Sequence, residues 1–382
     1  MARKLILSAC CILFALGAAA GLAAEANTVK IGAIFAVTGP NANLGTPEAR
    51  TLQMLADEAN AAGGIAGKKV ELFIKDSQGN AEKAISFAKQ LIEEEDVMAI
   101  IGPSTSGESM KLKGLCSDAE MPLLSCAAAE TIVNPVAKWV FKVAPMDSFA
   151  AQMIFATMKK MGIAKIGALT SNSGFGQGGK AQLEKLAPAA GITILISEVY
   201  DKDATDLTGV LAKIKAQNVQ AVVNWSTEPA QSIVPKNMKQ LGFDVPLFQS
   251  HGFGNINYVT AAGKAAEGIL FPCGRILVAD ILPAANPQKK LLVAYKKEYM
   301  ARFNEEPSTF GGHAYDSFQI LAEAVRKVGT DRAKVRDFIE GLKGFVGTAG
   351  IFTFSPENHN GLSIDAFEML TVKNGEFVLL GR

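Results

Sequence analysis

Ser104, Thr105 and Ser106 set three hydroxyls in a row just after Gly102-Pro103, and Cys126, Ala127, Ala128 and Ala129 bring small side chains twenty residues later. Hydroxyls at a helix start cap orphan backbone N–H groups, and the amides left free attract an anion. Small residues let a ligand approach the backbone. Together the two segments suit a carboxylate, although two ordinary capped connections would carry the same residues. The elements that position them read from the same stretch. Residues 97–101 (VMAII) are apolar and rich in β-branched side chains, as in a strand buried on both faces of a parallel sheet. A helix is expected from 108 to 119 and a second short strand at 122–125. In an open α/β sheet ligands sit beyond the carboxyl ends of the strands, where both polar segments fall.

The 382 residues exceed what one hydrophobic core usually serves, which predicts two lobes. The net charge is +1, and loss of Arg3 and Lys4 with an N-terminal signal leaves −1. That balance argues against a nucleic-acid partner or an anionic membrane surface. Residues 1–24 read as a secretory signal: Arg3-Lys4, an apolar run from Leu5 to Leu16, and Leu22-Ala23-Ala24 as the cleavage site. Leu7-Ser8-Ala9-Cys10 resembles a lipobox but lies too close to Lys4 for an apolar core to precede it. Cys116, Cys126 and Cys273 remain after cleavage, and three buried free thiols are expected. His251, His313 and His359 are far apart, so neither a metal nor another cofactor is implied.

Strands are expected at 29–37 and 69–76 and helices at 45–62 and 80–94, alternating into the stretch already described. This is the pattern of a parallel sheet with helices on both faces. The alternation restarts after 139–145. Asp147 is placed to cap a helix through 161, followed by a strand at 164–170, a helix at 175–190, strands at 192–200, 219–225 and 246–250, and helices at 205–216 and 228–241. Helices at 287–303, 313–328 and 331–342 complete the first lobe, and a hairpin at 364–372 and 376–380 around Asn374-Gly375 closes the second. The expected fold class is α/β: two doubly wound parallel-sheet lobes joined by a three-crossover hinge, with crossings near Pro145, Cys273 and Phe354. Lobe 1 takes residues 25–145 and 275–354, lobe 2 takes 146–274 and 355–382, and a hinged cleft between them closes on ligand.

VKIGAIFAVTGPNANLG, GGIAGKKVELFIKDSQGNAEKA, IIGPSTSGES with MPLLSCAAAE, NSGFGQGGKA, GHAYDSFQILAEAV and GTAGIFTFSPENHNG occur in an order and spacing that span nearly all of the mature chain. In these the sequence resembles the type I periplasmic solute-binding proteins of ABC importers, in the Leu/Ile/Val-binding branch. The resemblance implies the two-lobed fold, a periplasmic location, a monomer, and a membrane permease as partner. It also implies a ligand carboxylate held by Ser106 and by backbone amides near Ala127, with Ser104, Thr105 and Cys126 beside them.

The half of the site that holds an ammonium departs from the family pattern. The family's threonine is Ala129 here, its acidic residue at a second-lobe strand end is His251, its tyrosine in NWSTEP is Thr227, and its first-loop tyrosine is Leu44. Phe175 keeps the aromatic at a helix start, and with Trp225 it is expected to flank a flat apolar body. A buried ammonium without an anion costs several kcal/mol, so the resemblance points to the family's binders of aromatic carboxylates, with His251 as a donor to a further oxygen. The expected ligand is a benzoate- or phenylpropenoate-like acid. A branched-chain amino acid, with an acidic partner found elsewhere, is the alternative, and a ligand sensor docking on a receptor would share the fold. Enzymatic activity is not expected. Ser106 lies in no G-x-S-x-G elbow, and His251 has no carboxylate in its own segment to orient it. Ser77, Gln78, Tyr315 and Asp316 are expected to serve packing, capping or solvated loops.

Overall fold

The computed structural model describes residues 28–381, so the signal segment with Cys10 and Cys11 lies outside the described residues. Strands β1 (Thr28–Phe35), β2 (Lys69–Asp76), β3 (Ala99–Ile101), β4 (Leu123–Ser125) and β5 (Val140–Lys142) form an all-parallel sheet in the order β2-β1-β3-β4-β5. The three short inner strands are buried throughout, which explains why they read as unbroken apolar runs.

The second sheet repeats this order. Strands β6 (Lys165–Ser171), β7 (Thr193–Tyr200), β8 (Ala221–Trp225), β9 (Leu247–Gln249) and β10 (Leu270–Cys273) run parallel as β7-β6-β8-β9-β10. A two-residue ribbon follows, β11 (Phe345–Val346) against β12 (Ile351–Phe352). Then β13 (Glu368–Lys373) pairs antiparallel with β10 and with β14 (Glu376–Leu379), closing the seven-stranded sheet. Asn374 and Gly375 both have positive φ, 55° and 78°, as a two-residue type I′ turn requires.

Each sheet has a switch point where strand order reverses, between β1 and β3 and between β6 and β8. Crevices open at such points beyond the carboxyl ends of the strands. The segments that leave β1, β3, β6 and β8, loops running into helix starts, therefore carry Leu44, Ser104–Ser106, Phe175 and Thr227. The helix Ala42–Ala61 lies tightly on β1: a Cβ at Gly45 would sit 2.2 Å from the Ala36 carbonyl carbon. The helix Thr309–Val328 packs on it in turn, so the segment after β10 returns to the first sheet before β13 rejoins the second.

Several expected boundaries move for identifiable reasons. The helix expected from 108 begins at Ser106, because Thr105 and Glu108 form a capping box. The helix expected from 313 begins at Thr309, capped by Ser308, across a Gly-Gly pair that masks its start. Residues 364–366 form a 3-10 turn rather than strand, because the Ser363 hydroxyl accepts from the Asp365 N–H. The β11–β12 ribbon is too short to leave a period in the sequence.

Asp147 is not a cap. Met146 holds the N-cap position, and Asp147 is the first residue of the helix Asp147–Lys160, with its carboxylate turned inward. The three cysteines are free and buried, and burial pushes the Cys116 and Cys273 thiols up to about 12. Among the described residues no cluster of His, Cys, Asp and Glu could hold a metal ion, and no helix is long and apolar enough to cross a membrane.

Candidate ligand site

A cavity of about 350 Å³, its mouth included, is lined by Leu44, Ser104, Thr105, Ser106, Cys126, Ala127, Ala128, Phe175, Thr227, His251, Gly252, Phe310 and His313. Nine of the eleven residues singled out in the sequence meet there. Loops leaving both sheets contribute, so relative movement of the sheets would open it.

At the end near the first sheet, only one of the three hydroxyls is free to donate. Ser104 donates to Glu48 and accepts from the Ala36 N–H at 3.0 Å, so it ties the end of β1 to the helix above. Burial raises the Glu48 carboxyl well above its usual range, and the bond from Ser104 only partly offsets this. Thr105 donates to Glu108 at 2.5 Å within the capping box. Ser106 accepts from the Ala129 N–H at 3.2 Å, and its own proton has no acceptor in hydrogen-bond geometry among the described residues. The Ala127 N–H is bound to Ser125 Oγ at 3.2 Å. The expectation that amides around Ala127 stand free is therefore corrected, since side-chain oxygens from the neighbouring turn already take two of them. Ser106 Oγ remains, on the first residue of a 13-residue helix and at the cavity wall, where the helix N-terminus favours an anion.

The opposite end is imidazole and aromatic. His251 opens a short 3-10 turn after β9 and is 6% exposed. Phe175, Trp225 and Phe367 surround it, with centroids 5.2, 5.7 and 5.3 Å away. Trp225 does not line the cavity as expected. It is wholly buried behind Phe175, under Gly179, where a Cβ would lie 2.3 Å from the indole. Leu44 and Phe310, rather than the indole, complete the apolar walls beside Phe175.

Ala129 also stands behind the cavity rather than on it, fully buried above Asp147. The carboxylate missing from the segment of His251 comes from the far side of the site: Asp147 Oδ1 lies 3.6 Å from His251 Nε2. Neither Asp147 oxygen is in hydrogen-bond geometry with a partner among the described residues. Burial raises its pKa well above the carboxylate norm, and the Lys142 ammonium pulls the other way. Lys142 is itself buried, donates to the carbonyls of Ala128, Ala144 and Pro145 at 3.0, 2.8 and 3.1 Å, and is pushed down to about 8 by burial.

Burial, then Lys142 and His313, depress His251 far below the histidine norm, so its ring is neutral. Asp147 at 3.6 Å is beyond hydrogen-bond reach, and both His251 nitrogens are without a partner among the described residues. His313, Phe310 and Gly252 are the lining residues that sequence reading missed. The motif GHAYDSF drew attention to Tyr315 and Asp316, one turn on. Asp316 instead accepts from the Thr348 and Ala349 N–H groups at 2.5 and 2.8 Å and fastens the loop after β11 to the helix. Ser77 and Gln78 bond to Phe35 and Thr38, away from the cavity. His359 is structural, stacked on Phe141 and bonded to Val140 and Glu340.

A family model described as periplasmic binding protein matches residues 28–376. A curated relative from Pseudomonas aeruginosa, a leucine-, isoleucine-, valine-, threonine- and alanine-binding protein, is 27% identical over 336 residues, 85% of this chain and 86% of its own. Among solved structures, an extracellular ligand-binding receptor from Rhodopseudomonas palustris HaA2 superposes with a TM-score of 0.87 at 30% identity, covering 92% of this chain and 99% of that one. A branched-chain amino acid transporter substrate-binding protein from Streptococcus pneumoniae, solved in complex with isoleucine, gives 0.81 at 28% identity, covering 92% and 97%. The chain belongs to the type I periplasmic binding protein family, and its curated relatives are Leu/Ile/Val-binding proteins.

Proposed function

We propose that this member of the periplasmic binding proteins captures a small carboxylate that carries no α-ammonium, best an aromatic acid. It does so by closing the lobes 25–145 with 275–354 and 146–274 with 355–382 around the cavity. It then delivers that solute in the periplasm to an ABC importer permease, working as a monomer after removal of residues 1–24. Ser106 donates to the carboxylate at the helix N-terminus, with Ser104, Thr105, Cys126 and Ala127 forming the wall beneath it. Phe175, Leu44 and Phe310 receive the apolar body, Thr227 borders it from the second sheet, and Trp225 backs Phe175.

One observation carries the reading: no carboxylate lines the cavity, and the residue opposite Ser106 is a buried histidine held neutral. Asp147 is the acid nearest that end, yet it lies behind His251 and Ala129 and already faces Lys142. An ammonium entering here would lose its hydration without gaining an anion, a cost of several kcal/mol.

A second reading, a branched-chain amino acid, is favoured by the isoleucine bound in the Streptococcus pneumoniae relative, and it requires Asp147 to turn toward the cavity. Thermal shift of the ligand-stripped mature protein separates the two. Ligand at a hundred times its Kd adds about 2.7 kcal/mol of stability. A rise with benzoate- or cinnamate-type acids and none with leucine or isoleucine is expected. A rise with leucine alone would overturn the proposal.

A further inference from the structure

The turn at 251–257 after β9 both lines the cavity and bonds to the opposite side of the cleft. His251 and Gly252 are lining residues, and Gly254, Asn255 and Asn257 follow at the start of the helix Ile256–Ala262. Two helices packed on the first sheet grip this turn. From the helix Thr309–Val328, the Thr309 N–H donates to the Gly254 carbonyl at 3.2 Å, and its hydroxyl donates to the same oxygen at 3.4 Å. From the helix Ala42–Ala61, the Asn43 carbonyl accepts from Asn255 Nδ2 at 2.8 Å, and Asn43 Oδ1 accepts from Asn257 Nδ2 at 3.2 Å.

Each of these bonds begins beside a cavity wall. Asn43 precedes Leu44, Thr309 precedes Phe310, and Gly254 follows closely on Gly252. The Tyr258 hydroxyl, next to Asn257, donates to the carbonyl of Thr227, another lining residue, at 2.5 Å.

Other contacts between the lobes differ in kind. Arg275 and Asn360 bond across the boundary, but from the crossover chains, where hinge movement is least. Where the helices Ser106–Asp118 and Gly174–Ala190 begin, the lobes meet as bare backbone: a Cβ at Gly174 would lie 2.8 Å from the Gly107 nitrogen. That seam permits close approach, whereas the asparagines add directed bonds.

From this arrangement we infer that Asn43, Asn255 and Asn257 form a clasp that is made when the lobes close and sets how long a solute is held. They are positioning residues, and none of the three lines the cavity. The inference rests on the reading that the lobes close around the ligand, and it holds whichever acid is bound. A solute enters the open form before the clasp exists, so association does not feel it. Release needs reopening, which breaks the clasp first, so dissociation carries its full effect.

Asn255→Asp isolates this role from folding. Asn255 Oδ1 accepts from the Asn257 N–H at 2.9 Å and caps the helix Ile256–Ala262, while Nδ2 reaches Asn43. An aspartate keeps the cap and replaces the donor by an oxygen facing the Asn43 carbonyl. Stopped-flow tryptophan fluorescence of the ligand-stripped mature protein is read with benzoate, cinnamate, leucine and isoleucine. For each solute that binds, the dissociation rate should rise roughly tenfold or more with the association rate unchanged. Asn257→Ala, at an exposed position, should give a smaller rise of roughly threefold. The melting temperature of the ligand-free protein should stay the same, since the open form lacks the clasp. A lowered ligand-free melting temperature would show a permanent structural bond, and an unchanged dissociation rate would show no clasp; either overturns the inference. Binding of leucine alone would remove the aromatic-acid reading, and its rates would still judge the clasp. Single-molecule FRET between dyes on the two lobes repeats the test without solute. Asn255→Asp should shorten the closed excursions, and equal dwell times would contradict the clasp.

Discussion

The two ends of the cavity solve opposite problems. At the Ser106 end almost every polar group is paired within the protein: Ser104 with Glu48 and Ala36, Thr105 with Glu108, and Ala127 with Ser125. A single hydroxyl proton is left over beside a helix N-terminus. At the His251 end the ring nitrogens His251 Nδ1, His251 Nε2 and His313 Nδ1 are equally buried but unpaired. The first end is a rigid frame with one free donor, made for an anion. The second is a pair of neutral imidazoles with unpaired nitrogens beside aromatic walls. Neighbouring hydroxyls can thus have different duties, and residue type alone does not reveal which one meets the ligand.

The largest expected effect lies behind the site, where Lys142 joins the two ends. Lys142→Met removes the cation that offsets Asp147 and leaves the Ala128 and Pro145 carbonyls without a donor, while Ala144 keeps Asn360. About 3–5 kcal/mol of stability should be lost, measured by urea unfolding. Adding Asp147→Asn should restore part of it, and failure of that rescue would separate Lys142 from Asp147.

A sharper contrast comes from the neighbouring serines. Ser106→Ala should weaken carboxylate binding by roughly tenfold to a hundredfold, the loss of a hydrogen bond to a charged group. Ser104→Ala should leave affinity far less changed but cost about 1–3 kcal/mol of folding stability, because the Ala36 N–H and Glu48 lose their partner inside the protein. Exchanged outcomes would reverse the roles assigned to the two hydroxyls.

A further effect is a pH slope. Burial holds His313 down to about 3, against an unfolded histidine near 6.5. Between those values the unfolded chain binds a proton that the folded one refuses. The stability His313 permits is therefore complete above about pH 6.5 and declines as pH falls toward 3. His313→Phe should remove this decline, so its melting temperature should gain on that of the unaltered protein between pH 7 and 4. Asp316, raised to about 7 by burial, acts in the opposite direction, but it is common to both chains and cancels. Parallel melting curves across that range would contradict neutral burial of His313.

The frame was legible because local rules govern it. Alternating apolar runs and helix starts located both sheets, and each sheet proved to have the same strand order. Thr105 with Glu108 is a capping box readable from four residues, and Asn374-Gly375 is a turn readable from two. The wiring behind the site was not legible, because its partners are distant in sequence. His251 meets Asp147 across 104 positions, and the carboxylate left free to do so belongs to a residue that local rules assign to capping. His313 hid behind Gly311-Gly312, which reads as a loop and is in fact the first turn of a helix. Trp225 looked like a wall because nothing local shows that Gly179 makes room for it in the core.

The most direct test of the account is a crystal structure of the ligand-stripped protein soaked or co-crystallised with an aromatic acid. The account predicts the carboxylate within hydrogen-bond distance of Ser106 Oγ, the ring against Phe175, and the far end at His251 and His313. A reversed ligand with its carboxylate on the imidazoles, or Asp147 swung into the cavity as an anion partner, would contradict it.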